Sequence, residues 1–193
     1  MSSIPADVLS RANAIGFFGV LILLIAYFFE GPPLGLFDIG KHLPSQEIPT
    51  YYQVTKVTDG DTIHVNIEGA DEVIRLIGIN TPETVDPRRP VQCFGKEASA
   101  RMKELVGGKI VRLEYDDSQS LRDTYNRLLA YVYLEDGEMI NRKMIAEGYA
   151  YEYTYMTPYK YQREFRELQT LARTSARGLW APETCNGSKT LSK

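Results

Sequence analysis

The sequence predicts an α+β domain built around a small β-barrel and preceded by a membrane-spanning helix. Three observations predict it: runs in which apolar and polar residues alternate, turn-forming dipeptides beside them, and segments with the spacing of an amphipathic helix. A chain of 193 residues with 44% hydrophobic content has room for one ordinary globular domain and a short appendage. Short strands with one helix inserted and further helices at the end are typical of such a barrel.

The strands are predicted from alternation and from the turns beside them. In residues 63–67, apolar side chains alternate with His64 and Asn66, and the preceding Asp59-Gly60 dipeptide is a common hairpin turn. Alternation recurs at residues 111–115, and short apolar runs mark the remaining strands. The predicted strands are 54–57, 63–67, 73–79, 111–115 and 128–134.

Three helices are predicted from apolar residues at helical spacing. The first covers residues 96–106, between the third and fourth strands. The second ends at Gly148, and the third begins at Pro158, since proline is favoured in a first helical turn. The apolar positions are Ala98, Met102 and Leu105 in the first helix, Ile140 and Met144 in the second, and Tyr161, Phe165, Leu168 and Ala172 in the third.

Residues 14–29 form an apolar run without a charged residue. At about 1.5 Å per residue, a helix of this length nearly spans a hydrocarbon core of about 30 Å, which predicts a single-pass transmembrane anchor. The alternatives are a cleaved signal peptide, which the bulky residues ending the run disfavour, and a buried globular helix, which an all-round apolar surface disfavours. Arg11 before the run, with Glu30 and Asp38 after it, favours a body outside the cytoplasm.

The anchor divides the chain into five predicted segments. They are an amino-terminal tail (1–13), the anchor (14–30), a linker (31–47), the folded domain (48–182) and a carboxy-terminal tail (183–193). Glycine and proline between residues 31 and 49 break regular structure, as expected of a linker. A bacterial cell envelope is the first expectation for the membrane, and an organelle membrane is the second.

Composition excludes some kinds of site. The formal net charge is -3, so the strong positive balance of many nucleic-acid-binding domains is missing. Two cysteines and two histidines cannot supply a tetrahedral zinc site at any familiar spacing. Cys93 and Cys185 could form a disulfide outside the cytoplasm, but their separation in sequence leaves the pairing open.

Residues 59–61, 75–83 and 123–127 are more polar than a barrel needs in order to fold. Each alone has an ordinary interpretation: a tight turn, a strand side chain facing water, and a solvated strand end. Together they offer oxygen ligands for a hard cation such as Ca²⁺ and two arginines that suit a phosphodiester, the components of a phosphoryl-transfer site. The oxygen donors are Asp61, Asn80, the Thr81 carbonyl and Glu83, and the arginines are Arg75 and Arg127.

The chain resembles the staphylococcal nuclease family in six segments that follow the family's order and spacing. They are TKVTDGDTI, IRLIGINTPET, FGKEASARMKELV, DTYNRLLAYVY, INRKMIAEGYAYEY and ARGLW. The resemblance implies an OB-fold barrel with three helices, and hydrolysis of DNA and RNA by a monomeric, Ca²⁺-dependent catalytic domain. It does not distinguish a DNA from an RNA preference, or endonuclease from exonuclease action.

The resemblance also implies a role for individual residues. Asp61, Asn80 and the Thr81 carbonyl would bind Ca²⁺, and Asp59 matches an outer acidic position. Arg75 and Arg127 would bind the phosphate and stabilise its developing charge, while Glu83 lies by the attacking water. Tyr125, Tyr153 and Tyr155 match positions that line the nucleotide pocket. From the residues alone, the alternating tyrosines 149–155 more often indicate packing than base stacking.

Asn80 departs from the family pattern, because members with well-formed calcium sites usually have an aspartate there. An asparagine oxygen can still bind calcium, but the site loses one negative charge. The alternatives are therefore a membrane-tethered OB-fold module that binds nucleic acid without cleaving it, and a tethered scaffold. The retained residues Asp61, Arg75, Glu83 and Arg127 favour the nuclease.

Overall fold

The computed structural model of the protein describes residues 50–84 and 91–189. Within them one helix is inserted among the strands and two more helices follow, as the sequence predicts. The strands are β1 (Tyr51–Val57), β2 (Thr62–Ile67), β3 (Ala70–Leu76), β4 (Ile79–Asn80), β5 (Ile110–Glu114), β6 (Leu128–Tyr133) and β7 (Tyr151–Glu152). The helices are α1 (Gly95–Val106), α2 (Ile140–Ala146) and α3 (Gln162–Thr174), followed by a 3-10 turn at Gly178–Trp180.

Five strands close into a barrel in the order β1-β2-β3-β6-β5. Neighbouring strands are antiparallel except for β3 and β6, which pair in parallel with Ile74 beside Leu128. Alternation decides which side chains enter the barrel, since Ile63 and Val65 are fully buried while His64 between them is only half-buried. The predicted α+β barrel with three helices is confirmed.

The helices cover the barrel with the faces that the helical spacing predicts. Met102 in α1 and Met144 in α2 are fully buried. Phe165 of α3 packs edge-on against Tyr131 of β6, with ring centroids 6.3 Å apart. Because an aromatic side chain buries a large apolar area, this contact stabilises the association of α3 with the barrel.

The predicted strand 73–79 is interrupted, and a glycine is the reason. β3 ends at Leu76 and β4 begins at Ile79, with Gly78 between them at φ +77°. A Cβ on Gly78 would lie 2.6 Å from the Tyr159 ring, so only glycine fits this close approach. The turn carries β4 out of the barrel to pair with β7, where Asn80 lies opposite Tyr151.

The third helix begins four residues later than predicted, at Gln162 rather than at Pro158. Tyr159 is buried, and its hydroxyl donates to the carbonyl of Gly78 at 3.3 Å. The backbone N–H of Lys160 donates to Asp116 at 2.8 Å. These long-range contacts hold residues 158–161 outside the helix, although the local sequence favours a helical start.

Cys93 and Cys185 form a disulfide with Cα atoms 5.9 Å apart, so the pairing that the sequence leaves open is made in the structure. The two cysteines are 92 residues apart, and closing a loop of that length restricts the unfolded chain. In the chain-entropy description the bond stabilises the fold by on the order of 4 kcal/mol. It fastens the carboxy-terminal residues to the segment just before α1.

The predicted anchor at residues 14–30 lies outside the described residues, as do the predicted tail 1–13 and linker 31–47. Among residues 50–84 and 91–189, every helix is too short or too polar to cross a membrane. Membrane anchoring therefore stays a prediction.

Asn141 of α2 joins three parts of the core, and its replacement by alanine should be strongly destabilising. Its Oδ1 accepts the Val132 N–H and its Nδ2 donates to the Ile77 carbonyl, both at 2.9 Å in a fully buried position. Losing both leaves a buried donor and a buried acceptor unpaired, so we expect Asn141→Ala to lower the unfolding free energy by roughly 3 kcal/mol in urea titrations. The exposed control Asn66→Ala should cost less than about 1 kcal/mol. Equal costs would contradict this assignment.

Candidate active site

The candidate residues come from strand ends that meet at one part of the barrel. Thr62 of β2 pairs with Arg75 of β3, which places the preceding Asp61 beside the end of β3. Arg75 is also opposite Leu129 of β6. Arg127 directly precedes β6, two residues before Leu129. The register therefore brings two of the three polar segments together and sets Arg127 near them.

Asp61 is buried and joins the turn before β2 to the segment after β4. Its Oδ2 accepts the backbone N–H of Thr81 at 2.8 Å and the Thr81 hydroxyl at 3.2 Å. Its Oδ1 accepts the Thr62 hydroxyl at 3.1 Å. Gly60 permits this approach, because a Cβ there would lie 2.7 Å from the Thr81 side chain. The turn glycine is therefore needed for the site as well as for the hairpin.

Arg75 forms a buried ion pair with Asp61. Its Nη2 lies 3.3 Å from Oδ2 of Asp61, and its side chain is 12% exposed. Its Nη1 donates to the carbonyl of Leu76 at 2.7 Å, which orients the planar group. A strand arginine that merely faced water would be mobile and exposed, whereas this guanidinium is fixed at the centre of the site.

Asp59 supplies a second carboxylate to the same turn. Its Oδ1 accepts the backbone N–H of Asp61 at 3.1 Å. Burial, and next the negative charge of Asp61, raise the pKa of Asp59 to about 7. These two carboxylates favour the binding of a cation. A positive charge beside them stabilises their charged forms, which burial and mutual repulsion disfavour.

Glu83 follows Asp61's partner Thr81 by two residues and is held through its backbone. Its N–H donates to Oε1 of Gln92 at 3.0 Å, and its carbonyl accepts the N–H of Gln92 at 2.9 Å. Its own carboxylate accepts the N–H of Thr84 at 2.9 Å. Gly95, at the start of α1, lies against this segment, since a Cβ there would be 2.6 Å from the Thr84 methyl group.

Arg127 is held in position by Asp123. The Nε and Nη2 atoms each lie 2.7 Å from Oδ2 of Asp123, and the Arg127 N–H donates to Oδ1 at 3.0 Å. Burial alone would raise the pKa of Asp123, but the hydrogen bonds from Arg127 outweigh it and keep the pKa below its usual value. The Arg127 side chain is 29% exposed. It is therefore both oriented and open to a ligand.

The three candidate tyrosines lie in two places. Tyr125 is 81% exposed, and its ring centre is 5.4 Å from the Arg127 guanidinium. The rings of Tyr153 and Tyr155 lie 6.4 Å apart, and the Tyr153 N–H donates to the Gly78 carbonyl. The other members of the alternating run pack instead, since Tyr149 contacts Phe94 and Tyr151 contacts Trp180. The first two tyrosines of this run therefore pack in the fold, and the last two are exposed.

Direct contacts join Asp61, Arg75 and Thr81, whereas the Arg127 guanidinium pairs with Asp123 in the part of the chain that the structure describes. Asn80 directly precedes Thr81 in the chain and lies opposite Tyr151 in the pairing of β4 with β7. Gln92 is a neighbour of Glu83 that the sequence does not reveal, because the two residues are nine positions apart in the chain. The pairing of Asp123 with Arg127 could have been predicted from the sequence, since a carboxylate four residues before an arginine can form an ion pair with it.

Comparison with known proteins assigns the chain to a family. A family model described as "Staphylococcal nuclease homologue" matches residues 73–182, which is more than half of the chain. The thermonucleases of Staphylococcus hyicus and Staphylococcus intermedius are each 44% identical, over 67% of this chain and 75% of their own. Endonuclease YncB of Bacillus subtilis is 36% identical, over 72% of this chain and 66% of its own. The resemblance in the six segments is confirmed, and the chain belongs to the staphylococcal nuclease family.

Proposed function

We propose that this protein is a membrane-anchored, Ca²⁺-dependent nuclease that hydrolyses phosphodiester bonds of DNA and RNA at the site around Asp61. Hydrolysis of phosphodiester bonds follows from membership of the family, whose relatives above are named thermonuclease and endonuclease. The buried ion pair between Arg75 and Asp61 carries the assignment to this site. Removing a guanidinium and a carboxylate from water costs free energy, so a buried ion pair is poorly explained by stability alone. This supports a functional role for the pair.

The donor set fits a calcium ion by its chemistry. Among residues 50–84 and 91–189, no cluster of three or more histidine, cysteine, aspartate or glutamate side chains could hold a metal by itself. Neutral oxygens would therefore complete the set: Asp61 with the side-chain oxygen of Asn80 and the carbonyl of Thr81. All are oxygen donors, which Ca²⁺ prefers. When bound, the ion supplies positive charge beside the phosphate.

The protein's own side chains carry out the remaining work. Arg75 and Arg127 bind oxygens of the scissile phosphate and stabilise the charge that develops during displacement. Arg127 uses Nε and Nη2 for Asp123, and Nη1 is the nitrogen that we assign to the phosphate. Glu83 orients a water molecule and accepts its proton as the new phosphorus–oxygen bond forms and the ester bond opposite it breaks. The leaving sugar oxygen departs with the bonding electron pair and takes a proton from solvent.

The substrate contacts explain why both nucleic acids are proposed. Arginines that bind phosphate carry no information about bases, and the exposed rings of Tyr125, Tyr153 and Tyr155 can stack on any base. Net charge is slightly negative, so affinity would come from this local arrangement rather than from a basic surface.

Membrane anchoring rests on the charge-free run at residues 14–29. Arg11 before the run, with Glu30 and Asp38 after it, supports a nuclease outside the cytoplasm, where the disulfide between Cys93 and Cys185 is stable. Fractionation tests this part: the full-length chain should be released from membranes by detergent and not by high salt. Release by salt alone would indicate peripheral attachment instead of a membrane-spanning anchor.

Cleavage assays test the proposed activity. The full-length chain in mild detergent is incubated with single-stranded DNA and with RNA, in calcium and then in excess chelator. Calcium-dependent cleavage of both is expected. Binding without cleavage, at calcium up to about 10⁻³ M, would favour a nucleic-acid-binding module, for which Asn80 is the supporting observation.

Asn80→Asp is expected to lower the calcium concentration that gives half-maximal cleavage. The substitution adds a negative charge to the proposed ligand set while keeping the size of the side chain, so calcium should bind on the order of 10-fold more tightly. Asn66→Asp, which adds the same charge at an exposed position of β2, is the control. An unchanged calcium dependence in Asn80→Asp, or an equal shift in the control, would remove Asn80 from the set.

A further inference from the structure

Gln92 and the disulfide next to it lie where they can control the position of Glu83. We infer that Gln92 is a positioning residue for Glu83, held in place by a carboxy-terminal strap of residues 181–189 that the Cys93–Cys185 bond fastens. The inference rests on the catalytic role proposed for Glu83. It assigns a part in the reaction to residues that make no contact with substrate.

Gln92 forms hydrogen bonds with both the backbone N–H and the backbone carbonyl of Glu83. The side-chain Oε1 of Gln92 accepts the Glu83 N–H at 3.0 Å, while the Gln92 N–H donates to the Glu83 carbonyl at 2.9 Å. A pair of opposed hydrogen bonds fixes the direction of the Glu83 backbone. A catalytic carboxylate needs such fixing, because a misplacement of about 1 Å can cost a large factor in rate.

The strap fixes Gln92 in turn. Cys93, the next residue, is bonded to Cys185 and donates its N–H to the carbonyl of Lys189 at 3.1 Å. Two attachments, one covalent and one through a hydrogen bond, therefore hold the backbone beside Gln92. Within the described residues, the strap adds to the contacts that this backbone makes with Glu83 and with the first turn of α1.

The strap is itself anchored in the fold. The carbonyl of Gly187 accepts the Tyr151 hydroxyl at 3.3 Å, and the Gly187 N–H donates to the carbonyl of Leu179 at 2.9 Å. A Cβ on Gly187 would lie 2.8 Å from the ring of Trp180, the single tryptophan of the chain. Tyr151 pairs with Asn80 in the small sheet. The strap is thus connected to Glu83 through Gln92 and to Asn80 through Tyr151. Because the strap packs against Trp180, the fluorescence of Trp180 reports whether the strap is in place.

A double-mutant cycle tests the role of Gln92. Gln92→Met keeps the length of the side chain and removes the acceptor for the Glu83 N–H. We expect it to lower kcat on the order of 10-fold with KM unchanged, and to cost nothing further in a chain that already carries Glu83→Gln. The same loss in both backgrounds, or no loss in either, would overturn the inference.

A cysteine-free chain tests the strap. In Cys93→Ala/Cys185→Ala, kcat should fall toward the level of Gln92→Met, with a change in Trp180 fluorescence and an unchanged far-ultraviolet spectrum. If that chain unfolds, the reduced wild-type protein at low temperature gives the same comparison. A released strap with full kcat would contradict its role.

The two proposals fail in different ways. Full activity in Glu83→Gln would remove the proposed role of Glu83 itself. A strong loss in Glu83→Gln together with no loss in Gln92→Met would leave that role intact and remove only the inference about Gln92.

Discussion

Replacing Arg127 by alanine is expected to lower the maximal rate of hydrolysis by on the order of 10²-fold or more, with little change in stability. The guanidinium is oriented by Asp123, and Arg127 directly precedes β6, which pairs with the strand that carries Arg75. A charge fixed before the reaction stabilises the transition state without reorganising, so its removal should appear in kcat. Asp123 would keep its bonds to the N–H groups of Tyr125 and residue 127, which preserves the loop. Single-turnover cleavage of single-stranded DNA at saturating calcium measures the effect.

Arg112→Ala is the matched control. The Arg112 side chain is 31% exposed, close to the 29% of Arg127, but it lies on β5 over the ring of Tyr133. Its removal should leave the cleavage rate unchanged. Arg127→Lys separates charge from geometry, because an ammonium group keeps the charge and loses the paired donors. An Arg127→Ala chain with near-normal kcat, or an equal loss in Arg112→Ala, would exclude Arg127 from the reaction.

Glu83→Gln is expected to cost a similar factor, on the order of 10²-fold in kcat. The amide has the shape of the carboxylate and can still accept the N–H of Thr84, so the fold should be unaffected. It cannot accept a proton from water. Rates are measured at saturating substrate and calcium, and thermal unfolding is recorded on the same samples.

Glu138→Gln is the corresponding control, since Glu138 pairs with Lys143 on α2, away from the site. It should alter stability by less than about 1 kcal/mol and leave kcat unchanged. A Glu83→Gln chain that cleaves at the wild-type rate would show that another group activates the water.

Local pattern was enough to predict the barrel. Alternation in β2 separates the buried Ile63 and Val65 from His64, and helical spacing identifies the buried faces of α1 and α3. Such patterns work because burial follows the geometry of each element. The interruption at Gly78 and the late start of α3 could not be predicted in this way. Both depend on Tyr159, which contacts Gly78 from a distant part of the chain.

The candidate site was predictable in part. Residue chemistry indicated a cation and a phosphate, and the family resemblance assigned roles to residues such as Asp61 and Arg127. The ion pair of Asp61 with Arg75 depends on the register between β2 and β3, which sequence alone did not specify. The contact of Gln92 with Glu83 was not predicted and the disulfide was left open, since each joins residues that are separated in the chain.

The most direct test of the site is a calcium titration of the cleavage rate in the wild-type chain, Asp61→Asn and Arg127→Ala. Asp61→Asn keeps an acceptor for the Thr81 N–H and removes the charge of a proposed ligand. We expect this variant to need on the order of 10-fold more calcium for half-maximal cleavage. Arg127→Ala should instead lose maximal rate with an unchanged calcium midpoint. An unshifted midpoint in Asp61→Asn, or a normal maximal rate in Arg127→Ala, would contradict the separate metal-binding and phosphate-binding roles on which the account depends.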